Sequence, residues 1–147
     1  MGCATDTDVA EVGICGMHAY SLLQLIEIPN VPVSWVYETG VAHGNVSGFG
    51  VGHDAATITL RLLQIRNPHG QGEWKGAFSD KSDVWQRLLQ QSRNTSIQLP
   101  KRTKVNDGTF WIDFDNFLMA FSRIDVVLAF RGNHAVSYTH LTLPTKA

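Results

Sequence analysis

Tyr20-Ser21-Leu22-Leu23-Gln24-Leu25-Ile26-Glu27-Ile28 and Thr57-Ile58-Thr59-Leu60-Arg61-Leu62-Leu63-Gln64-Ile65 decide the fold. Each mixes alternation of apolar and polar residues with a short apolar run, the pattern of a strand buried on one or both faces. Pro29, Asn30 and Pro32 predict that the first strand stops there. The two strands match in character and predict an antiparallel pair. Such a pair brings the start of the first strand, preceded by His18, to the end of the second, followed by Asn67.

A histidine near a strand is by default a hydrogen-bonded structural residue. Paired with an asparagine across neighbouring strands, it becomes two members of a cysteine-protease triad. A neutral imidazole takes the thiol proton to make a thiolate, and the asparagine oxygen accepts the other ring N–H, fixing tautomer and orientation. His18 is the expected base and Asn67 the expected orienter; a nucleophile is the missing third.

Further along, Ser82-Asp83-Val84-Trp85-Gln86-Arg87-Leu88-Leu89 predicts a helix capped by Ser82, with Asp83 at its positive end and Val84, Trp85, Leu88 and Leu89 on one core face. The turn Asn106-Asp107-Gly108 leads into a strand over Thr109–Ile112. Phe114, Phe117, Leu118 and Phe121 follow helical spacing after Asp113, and a last strand runs from Arg123 to Phe130. The expected fold class is α+β, a mainly antiparallel sheet with short helices.

Composition supports one modest domain of 147 residues, 44% hydrophobic and 17% charged, with a formal net charge of −1. That balance gives no electrostatic footprint for nucleic acid, and Lys101, Arg102 and Lys104 read as an ordinary solvated loop. No apolar run approaches the roughly 20 residues of a membrane span. Cys3 and Cys15 are the only cysteines, without a Cys-x-x-Cys or a histidine pair at zinc spacing, and both read as small buried hydrophobes. No signal peptide is evident, so the expected setting is reducing, cytoplasmic or otherwise intracellular.

Six ordered motifs then narrow the reading. Gly16-Met17-His18-Ala19-Tyr20-Ser21, Ile65-Arg66-Asn67-Pro68, Glu73-Trp74-Lys75-Gly76, Ser79-Asp80, Asp107-Gly108-Thr109-Phe110-Trp111 and Phe117-Leu118 resemble, in order, the second half of the calpain protease core. Met1-Gly2-Cys3 resembles the buried segment that precedes the histidine strand in that family, so the chain is expected to begin in mid-domain. The resemblance implies the β-rich lobe of a papain-like core, with His18 and Asn67 catalytic. It also implies that the nucleophile and oxyanion glutamine come from a missing N-terminal catalytic lobe. Cys15, three residues before His18, cannot easily face the imidazole across a cleft. The implied function is a fragment of a calcium-dependent intracellular cysteine endopeptidase acting on protein substrates, inactive alone.

The resemblance further implies a Ca2+ site of hard oxygen donors, with Glu73 and Asp80 on one loop and Asp107 and the Val105 carbonyl on another. Thr109 stands where the family generally has another carboxylate, which weakens the expected site. The structural alternative is that Asp80 caps a turn and Asp107 shapes the Asp-Gly turn. His69 stands where the family usually has a tryptophan that shields the Asn–His bond; an imidazole is smaller and predicts a wetter, weaker bond.

The chain departs from the family between about residues 31 and 56, where a Gly-rich insertion carries Gly40, Gly44, Gly48, Gly50 and Gly52. It reads as a long hairpin loop, with His43, His53 and Asp54 as poor metal candidates. The core-like domain is expected over 1–134. Residues 135–147 resemble an in-frame translation of a sequencing-library adapter and are set aside as a non-native tail. Two other classes stay open: a non-catalytic calpain-like regulatory or interaction module, and a plain α+β binding domain, which separated His18 and Asn67 would favour.

Overall fold

The computed structural model describes residues 1–6, 10–37, 57–102, 104–129 and 136–143. The strands are β1 (Gly2–Ala4), β2 (Ala19–Pro32), β3 (Thr57–Arg66), β4 (Thr109–Asp113), β5 (Arg123–Ala129) and β6 (Val136–Thr142). They form one six-stranded sheet in the order β4-β3-β2-β1-β5-β6, antiparallel at every pairing. Among the described residues three α-helices accompany it, α1 (Val33–Val36), α2 (Val84–Ser92) and α3 (Phe114–Ala120), together with a 3-10 turn at Ala10–Val12. The α+β class with a mainly antiparallel sheet is therefore the observed one. Val136–Thr142, set aside on sequence grounds, lies along β5.

Alternation along β3 and β4 sends side chains to two separate cores, one on each face of the sheet. Leu63, Ile65, Phe110 and Ile112 pack with Phe117 and Phe121. Leu60, Leu62 and Trp111 pack with Val84, Trp85 and Leu88 of α2. The period of two thus explains why β3 reads as a nearly continuous apolar run.

In β2 the same logic is interrupted twice. Leu22 pairs with Ile65, but the next pair is Gln24 with Gln64, leaving Leu23 in a bulge. The extra residue inverts the alternation, so Leu22 belongs to the first core and Ile28 to the second. The predicted stop at Pro29 and Asn30 is corrected. The strand passes them through a second irregularity between Ile28 and Val31, with Asn30 at φ +59°, and ends at Pro32. A bulge is where a proline without an N–H costs no ladder bond.

The predicted helices form, with two corrections. In α2 the N-cap is Asp83, not Ser82, and no side chain caps the first turn; the Asp83 carboxylate pairs instead with Arg87 at 3.4 Å. Leu89, expected on the core face, is exposed, while Val84, Trp85 and Leu88 are buried. In α3 the Asp113 side chain accepts the Asn116 N–H, as an N-cap should. Arg102 is not simply solvated: its guanidinium lies 4.5 Å from the Trp85 ring centroid. Most of the Gly-rich insertion, with His43, His53 and Asp54, lies outside the described residues, but Val31 and Val36 at its start are buried.

Candidate active site

The antiparallel pairing of β2 with β3 places Ser21 opposite Arg66, so the residues just outside these ends become neighbours. His18 and Asn67 meet there, 49 positions apart in sequence, with His18 Nε2 3.2 Å from Asn67 Oδ1. This proximity disfavours the plain binding-domain alternative.

Asn67 is 1% exposed, and every polar atom of its side chain is used. Its Nδ2 donates to the carbonyls of Gln71 at 2.8 Å and Gly72 at 3.2 Å. The two carbonyls settle which end of the amide is nitrogen. Oδ1 can only accept, and it receives the His69 main-chain N–H at 3.0 Å as well as the His18 ring. Consequently Nε2 of His18 carries the hydrogen in this pair, and Nδ1 of the neutral ring keeps its lone pair.

Two further frames hold the pair. The Asn67 main-chain N–H donates to Gly108 O at 2.8 Å, and Gly70 N–H closes a turn onto Asn67 O at 3.0 Å. On the other side, Thr5 Oγ1 accepts the His18 N–H at 3.2 Å and donates to Cys15 O at 2.7 Å, while Thr5 N–H donates to His18 O at 3.1 Å. Thr5 is buried. Met17, just before His18, is held at φ +48°, an uncommon conformation for a residue with a side chain. Thr5 carried no signal in the sequence, because a buried threonine is recognised only by the partners the fold gives it.

Ring contacts complete the surroundings of His18. Tyr20 approaches edge-on at 4.9 Å and 79°, and its phenol accepts the Cys15 N–H at 2.9 Å. Burial is the largest reason that the Tyr20 hydroxyl is pushed up to about 12. His69 stacks face to face on His18, with centroids 4.6 Å apart and planes 9° from parallel. His69, expected to leave the His18–Asn67 bond wetter and weaker, is itself exposed, with its ring stacked on His18 and Asn67 buried beside it.

The two thiols differ. Cys3, in β1 opposite Tyr20, is 1% exposed; burial first and Asp125 second push it up to about 12, so its thiolate is strongly disfavoured. Cys15 was expected to be buried but is exposed. The segment before β2 leaves it outside the core, while its main chain is held by Thr5 and Tyr20.

Of the four expected calcium ligands, the three carboxylates Glu73, Asp80 and Asp107 feel one another's charge, yet their side chains do not gather into a metal-holding cluster. Glu73 Oε1 accepts the Gly108 N–H at 2.9 Å, Asp107 Oδ1 accepts the Thr109 N–H at 2.8 Å, and Val105 O accepts the Asp107 N–H at 2.8 Å. Burial pushes Glu73 up, and the charges of Asp80 and Asp107 add to it. Asp80 is also pushed up, mainly by burial, against the pull of Arg102. Its Oδ2 is buried without a hydrogen-bond partner among the described residues. Among those residues no three His, Cys, Asp or Glu side chains gather closely enough to hold a metal ion. An orphaned carboxylate oxygen and mutual repulsion suit a hard cation, but the loops would have to draw together to ligate it.

Residues 1–128 match a family model described as calpain family cysteine protease. A calpain of Schistosoma mansoni is 34% identical over 131 residues, covering 86% of this chain and 14% of that protein. The calpain-1 catalytic subunits of Gallus gallus and Homo sapiens are 42% and 40% identical over 66 and 67 residues, 45% and 46% of this chain. The chain spans 9% of the length of each of these two relatives.

Proposed function

The chain belongs to the calpain family of cysteine proteases, and we propose that it supplies the base and the orienting amide of a peptidase centre whose nucleophile lies on another segment. The observation that carries the reading is the His18 Nε2 to Asn67 Oδ1 pair, which leaves Nδ1 of the neutral imidazole with a lone pair.

In the reaction, Nδ1 of His18 takes the proton of a cysteine thiol brought beside it, giving a thiolate and an imidazolium. The imidazolium is stabilised by its second N–H bond to Asn67. The thiolate attacks the scissile carbonyl, and the imidazolium returns its proton to the departing amine. Water then hydrolyses the thioester, with His18 again as base. Neither thiol described here fits the nucleophile's place. Cys3 is buried with its thiolate disfavoured, and Cys15 lies on the short segment leading to His18. The chain alone is therefore proposed to be inactive on protein substrates.

Calcium is the finer part of the reading. Glu73, Asp80, Asp107 and the Val105 carbonyl supply only hard oxygen donors, and the unpartnered Asp80 Oδ2 supports a cation there. Bound, calcium would supply positive charge between the two loops. Thr109 contributes no carboxylate, so the proposed affinity is low. An intracellular setting fits the free Cys3 and Cys15. Among the described residues no helix is long and apolar enough to cross a membrane.

The test is a chimera in which this chain replaces the matching segment of the Schistosoma mansoni calpain. It is expected to cleave a casein substrate, and His18→Ala is expected to lower kcat about 10²–10⁴-fold, the usual contribution of a positioned base. Cleavage indifferent to His18→Ala would overturn the reading. A folded but inert chimera would favour the non-catalytic regulatory or interaction module.

A further inference from the structure

We propose that Thr5 is a positioning residue for His18, its hydroxyl fixing where the main chain presents the base to Asn67. The inference rests on the reading of His18 as the base, and it adds a holder on the β1 side of the pair. In the register of β1 with β2, Ala4 faces Ala19, so the next pair outward is Thr5 with His18. The Thr5 N–H donates to His18 O at 3.1 Å, as a continued antiparallel ladder requires. The return bond runs to the side chain. His18 N–H donates to Thr5 Oγ1 at 3.2 Å, so a hydroxyl oxygen takes the place that a main-chain carbonyl has in a regular ladder.

The same hydroxyl donates to Cys15 O at 2.7 Å, with His18 O farther off at 3.4 Å. One oxygen thereby joins Cys15 and His18, the two ends of the turn that enters β2. Met17, inside that turn, is held at φ +48° with its side chain 89% exposed, so packing does not impose its conformation. A residue with a side chain keeps such a backbone only where its surroundings over-determine it, and the Thr5 bonds on both sides of Met17 supply that constraint. Thr5 is 3% exposed, so these bonds form away from water, where each counts for more. Without the hydroxyl, the His18 N–H would turn to the Thr5 carbonyl, and Cys15 O would keep the longer 3.5 Å bond from the Tyr20 hydroxyl. Asn67 cannot follow such a shift, because Gln71, Gly72 and Gly108 fix it from the other side. The 3.2 Å reach from His18 Nε2 to Asn67 Oδ1 would then open. The place of the base thus depends on an oxygen whose own partners are all main chain.

Proton and nitrogen magnetic resonance spectra of the whole chain test the idea without a nucleophile. Wild type is expected to show a His18 Nε2-bound proton protected from water exchange by Asn67, and a slowly exchanging Thr5 hydroxyl proton. Thr5→Val keeps the shape of the side chain and removes the hydroxyl. It is expected to lose the His18 Nε2-bound proton signal to exchange, while its backbone amide spectrum remains that of the folded chain. Thr5→Ser returns the hydroxyl and is expected to return the signal. A folded Thr5→Val with an unchanged His18 signal overturns the proposal, since a merely structural Thr5 would lower stability and leave the pair alone. Failure of Thr5→Ser to restore the signal overturns it too. Should Thr5→Val not fold, the wild-type hydroxyl decides: a Thr5 hydroxyl proton in free exchange with water means no lasting bond to Cys15 O and overturns the proposal. A wild type without a protected Nε2-bound proton removes the His18–Asn67 pair itself, and this proposal with it, a result distinct from the others.

Discussion

Gly108 donates its main-chain N–H to Glu73 Oε1 at 2.9 Å, tying the turn before β4 to the loop that follows β3. The carbonyl of the same residue receives the Asn67 N–H at 2.8 Å. Gly108 therefore links the acidic loops to the orienting asparagine. It has φ +82°, and a Cβ placed there would stand 2.8 Å from Asn67 O and 3.1 Å from Gln71 N. Gly108→Ala is expected to cost roughly 1–3 kcal/mol from the backbone conformation alone, with a further cost from the contact. Urea unfolding measures it; an unchanged midpoint would show that the turn tolerates a side chain.

The thiols should separate by reactivity. Only a thiolate attacks an alkylating or disulfide reagent. Cys3 is 1% exposed and pushed up to about 12, whereas Cys15 is exposed. The native chain is expected to react quickly with one equivalent of Ellman's reagent and with a second only after denaturant is added. Two fast equivalents under native conditions would contradict the burial of β1 against β2 and β5.

How far the fold was legible depended on whether a residue obeyed its local period. The β3 and β4 strands did, and so did α3, where Asp113 opens a helix whose Phe117 is fully buried. The meeting of His18 with Asn67 followed from antiparallel pairing alone. The bulges of β2 did not show, because an extra residue at Leu23 is decided by which core each side chain can reach across the sheet. Pro29 and Asn30 looked like a stop for the same reason: a turn and a bulge call for the same residue types. Among the site residues, Asn67 was read from chemistry, while Thr5 and Gly108 act through main-chain bonds that no residue type announces.

Asn67→Asp separates the orienting oxygen from the anchoring amide. The carboxylate keeps an acceptor for His18, but its second oxygen would face the carbonyls of Gln71 and Gly72, now bonded by Nδ2 at 2.8 and 3.2 Å. Two acceptors then oppose an acceptor at a buried position. The expected loss of stability is about 1–3 kcal/mol, the cost of leaving such groups unpaired. A variant as stable as wild type in thermal unfolding would mean that the amide is not held as described.

Calcium should act on stability if Glu73, Asp80 and Asp107 take it. A cation that binds the folded chain alone stabilises it by RT ln(1 + c/Kd), with c the free Ca2+ concentration, and so raises the unfolding midpoint as c passes Kd. Millimolar Ca2+ is expected to raise the thermal midpoint slightly in wild type, and Asp80→Asn is expected to remove the rise, since Asp80 Oδ2 is the unpartnered donor. Equal rises in the two proteins would place any calcium elsewhere.

Asp113 gives stability a pH dependence whose sign can be worked out. Burial pushes its carboxyl above the ordinary range, and the hydrogen bonds from Asn116 pull it back only in part. The folded chain therefore holds this proton more tightly than the unfolded chain does. Such a group contributes stability that is fully present below the unfolded pKa, about 3.9 for an aspartate, and is lost as pH rises through the raised folded value. Asp113→Asn removes the titration while leaving an amide oxygen to accept the Asn116 N–H, so the cap of α3 survives. Glu73 and Asp80 are raised as well and contribute with the same sign, but they cancel in the difference between wild type and variant. Urea unfolding of both proteins across the acid range should show the wild-type advantage shrinking as pH rises from about 4, then levelling once Asp113 is ionised in both states. A difference independent of pH would show that the first turn of α3 solvates its carboxylate as well as water does.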